Sequence, residues 1–308
     1  MDTDGLAQGV LQGQRRAVAR AISVVEAQGP QAHALTSALY AHGGKAHLVG
    51  ITGAPGTGKS TLVGQLAGAY RRQGQRVGIL AVDPSSPLSG GAVLGDRIRM
   101  RDLAGDSGVF IRSLATRGAQ GGLARATRDA ALILDAAGFE AILIETVGAG
   151  QDEVEVMRTA HTTVVVEAPG LGDDVQALKA GLIEVADILV VNKTDREGAD
   201  RTAHILQEML DRCTVPWKPP VCRTIALDGT GVDDLLVAIE EHQTYLKSGP
   251  GTQHELERAR AELERLLQEA LLTRFLKDLG PDKLKQTISR VAARQVSPSE
   301  ALKEWGID

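Results

Sequence analysis

The sequence predicts an α/β protein, with a mostly parallel central sheet covered by helices on both faces and helical extensions at either end. Three observations predict it. Short apolar runs, many of them β-branched, alternate with longer segments of helical period, which is the pattern of βαβ crossovers. Most of these runs are apolar throughout instead of alternating, as expected of strands covered on both faces. Glycine is abundant, 35 of 308 residues, but it lies between strongly periodic segments and so marks functional loops.

Residues 1–44 read as helical. Val10, Ala17, Ala21, Val24 and Val25 recur at helical spacing, Gly29-Pro30 breaks the pattern, and 35–42 suggests a second short helix. Strand-like runs follow at 48–52, 77–82, 109–111, 141–144, 163–166, 188–191 and 221–226. Helical patterns fall between them near 59–73, 121–137, 151–160, 174–184, 199–212 and 232–246. The segment SGPGTQ at 248–253 marks a boundary. A long charged helix comes next, with Leu256, Leu263, Leu266, Leu267 and Leu271 on one stripe, and Gly280-Pro281 ends it. A helix near 282–294 follows, and Ser297-Pro298-Ser299-Glu300 opens the last one with a capping-box signal. By pattern alone this tail reads equally as a helical cap on the same domain or as a dimerisation arm. Length sets a soft expectation of roughly two domains. The division expected here is 1–44 as an N-terminal helical extension, 45–247 as the α/β domain and 252–308 as the tail.

Composition excludes several classes. Lys and Arg number 34 against 39 Asp and Glu, a net charge of −5, so nucleic acid is not an expected partner, since that affinity comes from cations on phosphates. Three Phe, two Trp and three Tyr leave no stacking platform for single strands. No apolar stretch approaches the ~18 residues of a membrane span. The opening MDTDGLAQG is acidic and polar, unlike a signal or transit peptide. Cys213 and Cys222 could form one disulfide, but free thiols in a reducing cytoplasm are expected. The seven histidines form no His-x-x-His pair, and there is no Cys-x-x-Cys.

Four motifs carry chemistry. Gly53-Ala54-Pro55-Gly56-Thr57-Gly58-Lys59-Ser60 fits G-x-x-x-x-G-K-[ST] between a strand and a helix, the P-loop arrangement, and makes the fold a P-loop NTPase. Its backbone N–H groups would cradle phosphate, Lys59 would reach the β- and γ-phosphates, and the Ser60 hydroxyl would bind Mg²⁺. Asn192-Lys193-Thr194-Asp195 follows the run at 188–191. It matches the guanine-reading N-K-x-D, whose Asp accepts from guanine N1–H and the exocyclic amine, a donor pair that adenine lacks. Glu145-Thr146-Val147-Gly148 has the form of a γ-phosphate sensor, with a carboxylate near Mg²⁺ and a Gly N–H for the γ-phosphate. The fourth is the loop from Asp83 through Pro84-Ser85-Ser86-Pro87 to Asp96, a switch candidate whose Asp83 and Asp96 could approach Mg²⁺ or its water shell.

Those residues carry a family resemblance. GAPGTGKST, VDPSSPLSGGAVLGDRIRM, ETVGAGQDE, APGLGDDVQALKAGL and VVNKTD, in this order, resemble the MeaB/ArgK group of metallochaperone P-loop GTPases, which includes the human methylmalonic aciduria type A protein. The resemblance implies a GTPase that takes GTP to GDP with Mg²⁺. It also implies binding to an adenosylcobalamin-dependent acyl-CoA mutase, typically methylmalonyl-CoA mutase, to gate cobalamin loading, protection and release. A cobalamin adenosyltransferase is a further implied partner. Family members are homodimers joined through a C-terminal helical arm, which would be 252–308.

Carried over residue by residue, the resemblance gives Lys59, Ser60 and Thr61 to phosphate, and Asp83, Asp96 and Glu145 to Mg²⁺. It gives Asn192, Lys193 and Asp195 to guanine, and Asp174, Gln176 and Lys179 to a third switch that links nucleotide state to the partner. The family usually has Ser-Ala after the last strand, with backbone contact to guanine O6. Here the residues are Ile225-Ala226-Leu227, so Ala226 keeps its N–H while the loop's side-chain support is changed. No water-positioning glutamine is obvious. Gln151 is the candidate, or else it starts a helix. Arg97, Arg99, Arg101 and Arg112 are candidate arginine fingers that read more simply as surface or interface charges. Slow intrinsic turnover, raised by a partner, is therefore expected. A nickel-insertion GTPase would need a His or Cys cluster that the chain lacks, and N-K-T-D disfavours a transport-linked ATPase.

Overall fold

The computed structural model describes residues 3–83, 103, 105–115, 122–146, 157, 159–170 and 186–307. Three helices lead the chain: α1 (Thr3–Leu11), α2 (Arg15–Glu26) and α3 (Pro30–Tyr40). The helical stretch expected across Val10 to Val25 is divided because Gly13 turns the chain at φ +67°, a conformation open to glycine at little cost. Pro30 begins α3 instead of only ending the helix before it. At the first helical turn its missing N–H has no partner to lose, so the helix runs from 30 to 40 and not from 35 to 42.

The nucleotide-type core follows as β1 (His47–Thr52), α4 (Lys59–Arg72), β2 (Val77–Asp83), β3 (Val109–Ala115), α5 (Gly122–Ala136), β4 (Ala141–Thr146), β5 (Thr162–Glu167), β6 (Ile188–Asn192), α6 (Ala199–Asp211), β7 (Val221–Thr224) and α7 (Val232–Lys247). The seven strands form one sheet in the order β3-β2-β4-β1-β5-β6-β7. Every pairing is parallel. β1, β4, β5 and β6 are buried along almost their whole length, as strands covered on both faces must be. β3 runs four residues beyond its expected end because it stays paired with β2 as far as Asp83 and Ala115. β7 stops at Thr224, and Ile225 makes a single antiparallel bridge to Thr230 instead of continuing the strand. The helices expected at 174–184 and over most of 151–160 lie outside the described residues, apart from buried Met157.

Alternation along the strands splits the core. One face carries Leu80, Ile142 and Ile144 into a cluster with Ile133 and Leu134 of α5 and with Val10, Ile22, Leu35 and Leu39 of the N-terminal helices. Those three helices are thus part of the same core as the sheet. Arg15 reinforces them by donating to the Val109 carbonyl at 2.7 Å, and Arg112 pairs with Glu26 of α2. The opposite face packs Ile51, Val164 and Val190 against α4 and α7. A smaller cluster sets Val165, Leu189 and Val191 against Ala203, Leu206 and Leu210 of α6.

The start of β1 and β5 holds a buried polar chain. His47 Nε2 lies 2.8 Å from the Thr162 hydroxyl, and the same hydroxyl lies 2.9 Å from His242 Nδ1 of α7. His242 Nε2 in turn is 3.4 Å from Asp187, which precedes β6. All of this is at the end of the sheet opposite the P-loop.

The chain divides into two compact units, 1–248 and 249–308. The second consists of α8 (Pro250–Leu279), α9 (Pro281–Ala292) and α10 (Pro298–Glu304). Within it Arg290 and Glu304 form a two-pronged ion pair at 2.7 and 2.9 Å, and Phe275 faces Trp305. The expected capping box is present: Ser297 and Glu300 exchange side chain-to-backbone bonds. Leu256, Leu263, Leu267 and Leu271 of α8 are 55–68% exposed. At 3.6 residues per turn they lie within about 80° of one another, with Leu266 on the flank of the stripe instead of its centre. Among the described residues no helix is long and apolar enough to cross a membrane. Cys213 and Cys222 are both free thiols, and burial pushes the Cys222 thiol up to about 11.

Candidate functional site

The site lies outside the carboxyl ends of the central strands, where open α/β sheets take their ligands. β1 ends at Thr52 and the chain enters the loop 53–58. Three glycines here have positive φ: Gly53 (+139°), Gly56 (+83°) and Gly58 (+97°). Two of them are required by close neighbours. A Cβ on Gly53 would lie 2.1 Å from the Val166 carbonyl oxygen of β5, and one on Gly58 would lie 2.4 Å from Asn192 Nδ2. The loop is therefore pressed against β5 and β6 at contacts only glycine permits. Gly58 is the N-cap of α4, so the first turn of that helix faces the loop.

Lys59 opens α4 and is buried. Its ammonium donates to the Gly53 and Ala54 carbonyls at 2.7 and 3.0 Å, inside the loop's curve. Ser60, one residue on, donates its hydroxyl to Glu145 Oε1 at 2.5 Å. Glu145 lies near the end of β4, 2% exposed, beside β1 through the pairing Ile51 to Glu145. A buried carboxylate and a hydroxyl from two elements thus converge beside the P-loop. Such hard oxygen donors suit Mg²⁺. Thr61 is half-buried on α4, Pro55 and Gly56 are exposed, and Thr57 is fully buried. On the other face of the sheet Thr146 donates to the Thr52 hydroxyl at 3.0 Å.

The second half of the site is built around Asn192, the last residue of β6, 2% exposed. Its Nδ2 donates to the Thr57 carbonyl at 2.8 Å. Its Oδ1 accepts from the Thr224 hydroxyl at 3.1 Å and from the Ala226 N–H at 2.9 Å. Lys193, at φ +61°, sends its ammonium 2.6 Å to the Gly56 carbonyl. Thr194 donates through both N–H and hydroxyl to the Thr224 carbonyl. Asp195 and Leu227 are exposed, and Ile225 is half-buried. The N-K-T-D segment, the P-loop and the 225–227 loop are therefore stitched into one surface.

The structure thus brings together Gly53, Ala54, Gly56, Thr57, Gly58, Lys59, Ser60, Glu145, Asn192, Lys193 and Ala226. The backbone of Asp83 ends β2 at the same edge of the sheet, one residue past the pairing of Val82 with Thr146. Asp96, Gly148, Gln151, Asp174, Gln176 and Lys179 lie outside the described residues, as do Arg97, Arg99 and Arg101. Arg112 is engaged with Glu26 and Ser23 of α2, away from the P-loop. Sequence reasoning did not single out Thr224, whose buried hydroxyl and carbonyl serve Asn192 and Thr194. Nothing in its local pattern separates it from any other threonine at a strand end.

A seven-stranded parallel sheet with a P-loop after its central strand and N-K-T-D after β6 defines a P-loop GTPase. Residues 18–279 match the family model described as methylmalonyl Co-A mutase-associated GTPase MeaB. The chain belongs to that family and is a GTPase. A putative GTPase of Pyrococcus horikoshii is 51% identical over 266 residues, covering 85% of this chain and 84% of that one. GTPase ArgK of Escherichia coli is 34% identical over 309 residues, covering 95% and 92%. The mitochondrial methylmalonic aciduria type A homolog of Mus musculus is 34% identical over 293 residues, covering 88% and 71%. Among solved structures, a LAO/AO transport system kinase superposes with a TM-score of 0.75 at 28% identity, covering 99% of this chain and 96% of that one.

Proposed function

We propose that this GTPase serves an adenosylcobalamin-dependent acyl-CoA mutase, methylmalonyl-CoA mutase first among them, and gates cobalamin loading, protection and release according to its bound nucleotide. The observation that supports this most is the family match across residues 18–279, which spans both the nucleotide site and the whole of α8. A cobalamin adenosyltransferase is a further proposed partner. The free thiols of Cys213 and Cys222 suit a reducing cytoplasm, the compartment we propose.

In this reading the P-loop amides and Lys59 hold the β- and γ-phosphates, and Lys59 exchanges its bonds to the Gly53 and Ala54 carbonyls for phosphate oxygens. Ser60 and Glu145, together with Asp83 and Asp96, would hold Mg²⁺, which when bound neutralises phosphate charge. Asp195 reads the guanine edge, Asn192 and Lys193 brace the loop beneath it, and the backbone of 225–227 faces the base. Gly148 and Gln151 serve the γ-phosphate side, and Asp174, Gln176 and Lys179 couple it to the mutase. Intrinsic turnover is slow in this reading, and the partner raises it by stabilising the transferring phosphoryl charge. The 252–308 arm joins two copies through the exposed leucine stripe of α8. The test is co-purification and hydrolysis with a purified methylmalonyl-CoA mutase, under GDP and under a non-hydrolysable GTP analogue. Nucleotide-dependent binding with accelerated hydrolysis is expected. No binding under either nucleotide would refute the assignment.

A further inference from the structure

The turn after β7 has an unusual problem to solve. β7 is an edge strand, and Ile225, the first residue beyond it, is apolar and cannot fasten the loop by a side-chain hydrogen bond. Yet Ala226 is held 3% exposed with its N–H on Asn192, while Leu227 beside it stands 81% exposed. Something downstream must hold the turn closed. The backbone supplies one part: Ile225 N–H donates to the Thr230 carbonyl at 3.0 Å, and the Ile225 carbonyl accepts from the N–H groups of Asp228 and Gly229 at 3.2 and 3.0 Å. Gly231 lets the returning chain pass close to β7, since a Cβ there would lie 2.0 Å from the Arg223 carbonyl oxygen. The remaining fastening is Asp228, whose carboxylate accepts from the Thr230 N–H at 2.9 Å.

We propose that Asp228 is a positioning residue for guanine recognition: by clamping Thr230 it closes the 225–230 turn and so fixes the backbone of Ala226 and Leu227 against the base. The bonds from the Thr230 N–H and hydroxyl hold the Asp228 carboxyl below the usual carboxylate range, so the clamp stays charged at neutral pH. Among the described residues its carboxylate holds Thr230 alone, and its effect on nucleotide passes through the loop. The proposal rests on the base being read by Asp195 and the 225–227 backbone, as argued above.

The experiment uses the full chain, wild type against Asp228→Ala and Asp228→Asn, with Kd measured for GDP and for IDP and steady-state kinetics for GTP. IDP keeps O6 but lacks the exocyclic amine, so the GDP-to-IDP ratio reads Asp195 while the absolute affinities read the loop. Asp228→Ala is expected to weaken GDP and IDP together by about five- to tenfold, as loss of one solvent-exposed hydrogen bond does. The GDP-to-IDP ratio should hold, and the kinetic change should fall on KM. Asp228→Asn keeps an acceptor oxygen for Thr230 and should restore most of the affinity. GDP and IDP affinities within about twofold of wild type in Asp228→Ala would overturn the proposal. So would an Asp228→Asn variant as weak as Asp228→Ala, or weakening of GDP alone. If Asp195→Asn leaves GDP affinity unchanged, the base is read elsewhere, and that result condemns the underlying reading separately.

Discussion

Asn192→Ala is the substitution on which the site's architecture can be judged most directly. The side chain makes three bonds, to the Thr57 carbonyl, the Thr224 hydroxyl and the Ala226 N–H. It is 2% exposed, and Thr57 and Thr224 are fully buried. Removing it leaves three buried polar groups without their partner, each at about 1–3 kcal/mol. Taking the low end of that range for each of the three gives about 3 kcal/mol in total. For a domain of this size each kcal/mol moves Tm by about 2–4 °C, so a fall of about 6–12 °C is expected. Thermal unfolding followed by circular dichroism, without nucleotide, measures it. Asn192→Asp is the control. It preserves the two bonds accepted at Oδ1 but sets a carboxylate oxygen against the Thr57 carbonyl, so it should be as damaging to the P-loop while leaving the 224–226 contacts in place. A Tm within about 2 °C of wild type for Asn192→Ala would mean that Asn192 is not what joins the P-loop to the β7 turn.

Lys59→Ala should retain its circular dichroism spectrum and lose at least about 10²-fold in hydrolysis, since the ammonium acts on phosphate charge; retained turnover refutes the role. Asp195→Asn should weaken GTP about tenfold or more and strengthen xanthosine triphosphate, measured by competition. Equal GTP affinity would remove Asp195 from the base site. Removing 249–308 should give a species of monomer mass by light scattering that still binds GDP, because the sheet and its loops lie wholly within 1–248. Lost nucleotide binding would make the tail part of the site.

Much of this was legible in the sequence because the central strands are buried on both faces and so read as uninterrupted apolar runs. The P-loop was legible because its glycines answer to backbone geometry: Gly53 and Gly58 are needed by Val166 and Asn192. Boundaries set by long-range pairing were not. Arg112 and Ser113 extend β3 as an edge strand, where polar residues are tolerated, and no local period announces them. Gly13 and Pro30 each have two readings, interruption or hinge in one case and stop or start in the other, and only packing against α5 and β3 decides. Ser60 and Glu145 could be named as partners from their motifs, 85 residues apart. Thr224 and Asp228 could not, because a hydroxyl at a strand end and an acid in a turn are common everywhere.

The chain of bonds through Thr162 has a consequence for how β1 and β5 are held. A hydroxyl carries one proton, so Thr162 cannot donate to both imidazoles. When His242 is neutral with its N–H at Nε2 toward Asp187, its Nδ1 accepts from Thr162, and His47 then presents an N–H at Nε2. In that tautomer the bonds run in one direction, from His47 to Thr162 to His242 to Asp187, and a proton added at His242 Nδ1 would reverse the one between Thr162 and His242. This wire is strung across the feet of the two strands whose other ends carry the P-loop and the 168–170 turn. It ties those feet together at the level of Thr162, so the strands that lead to the P-loop and to the 168–170 turn start from a common anchor of side chains as well as backbone.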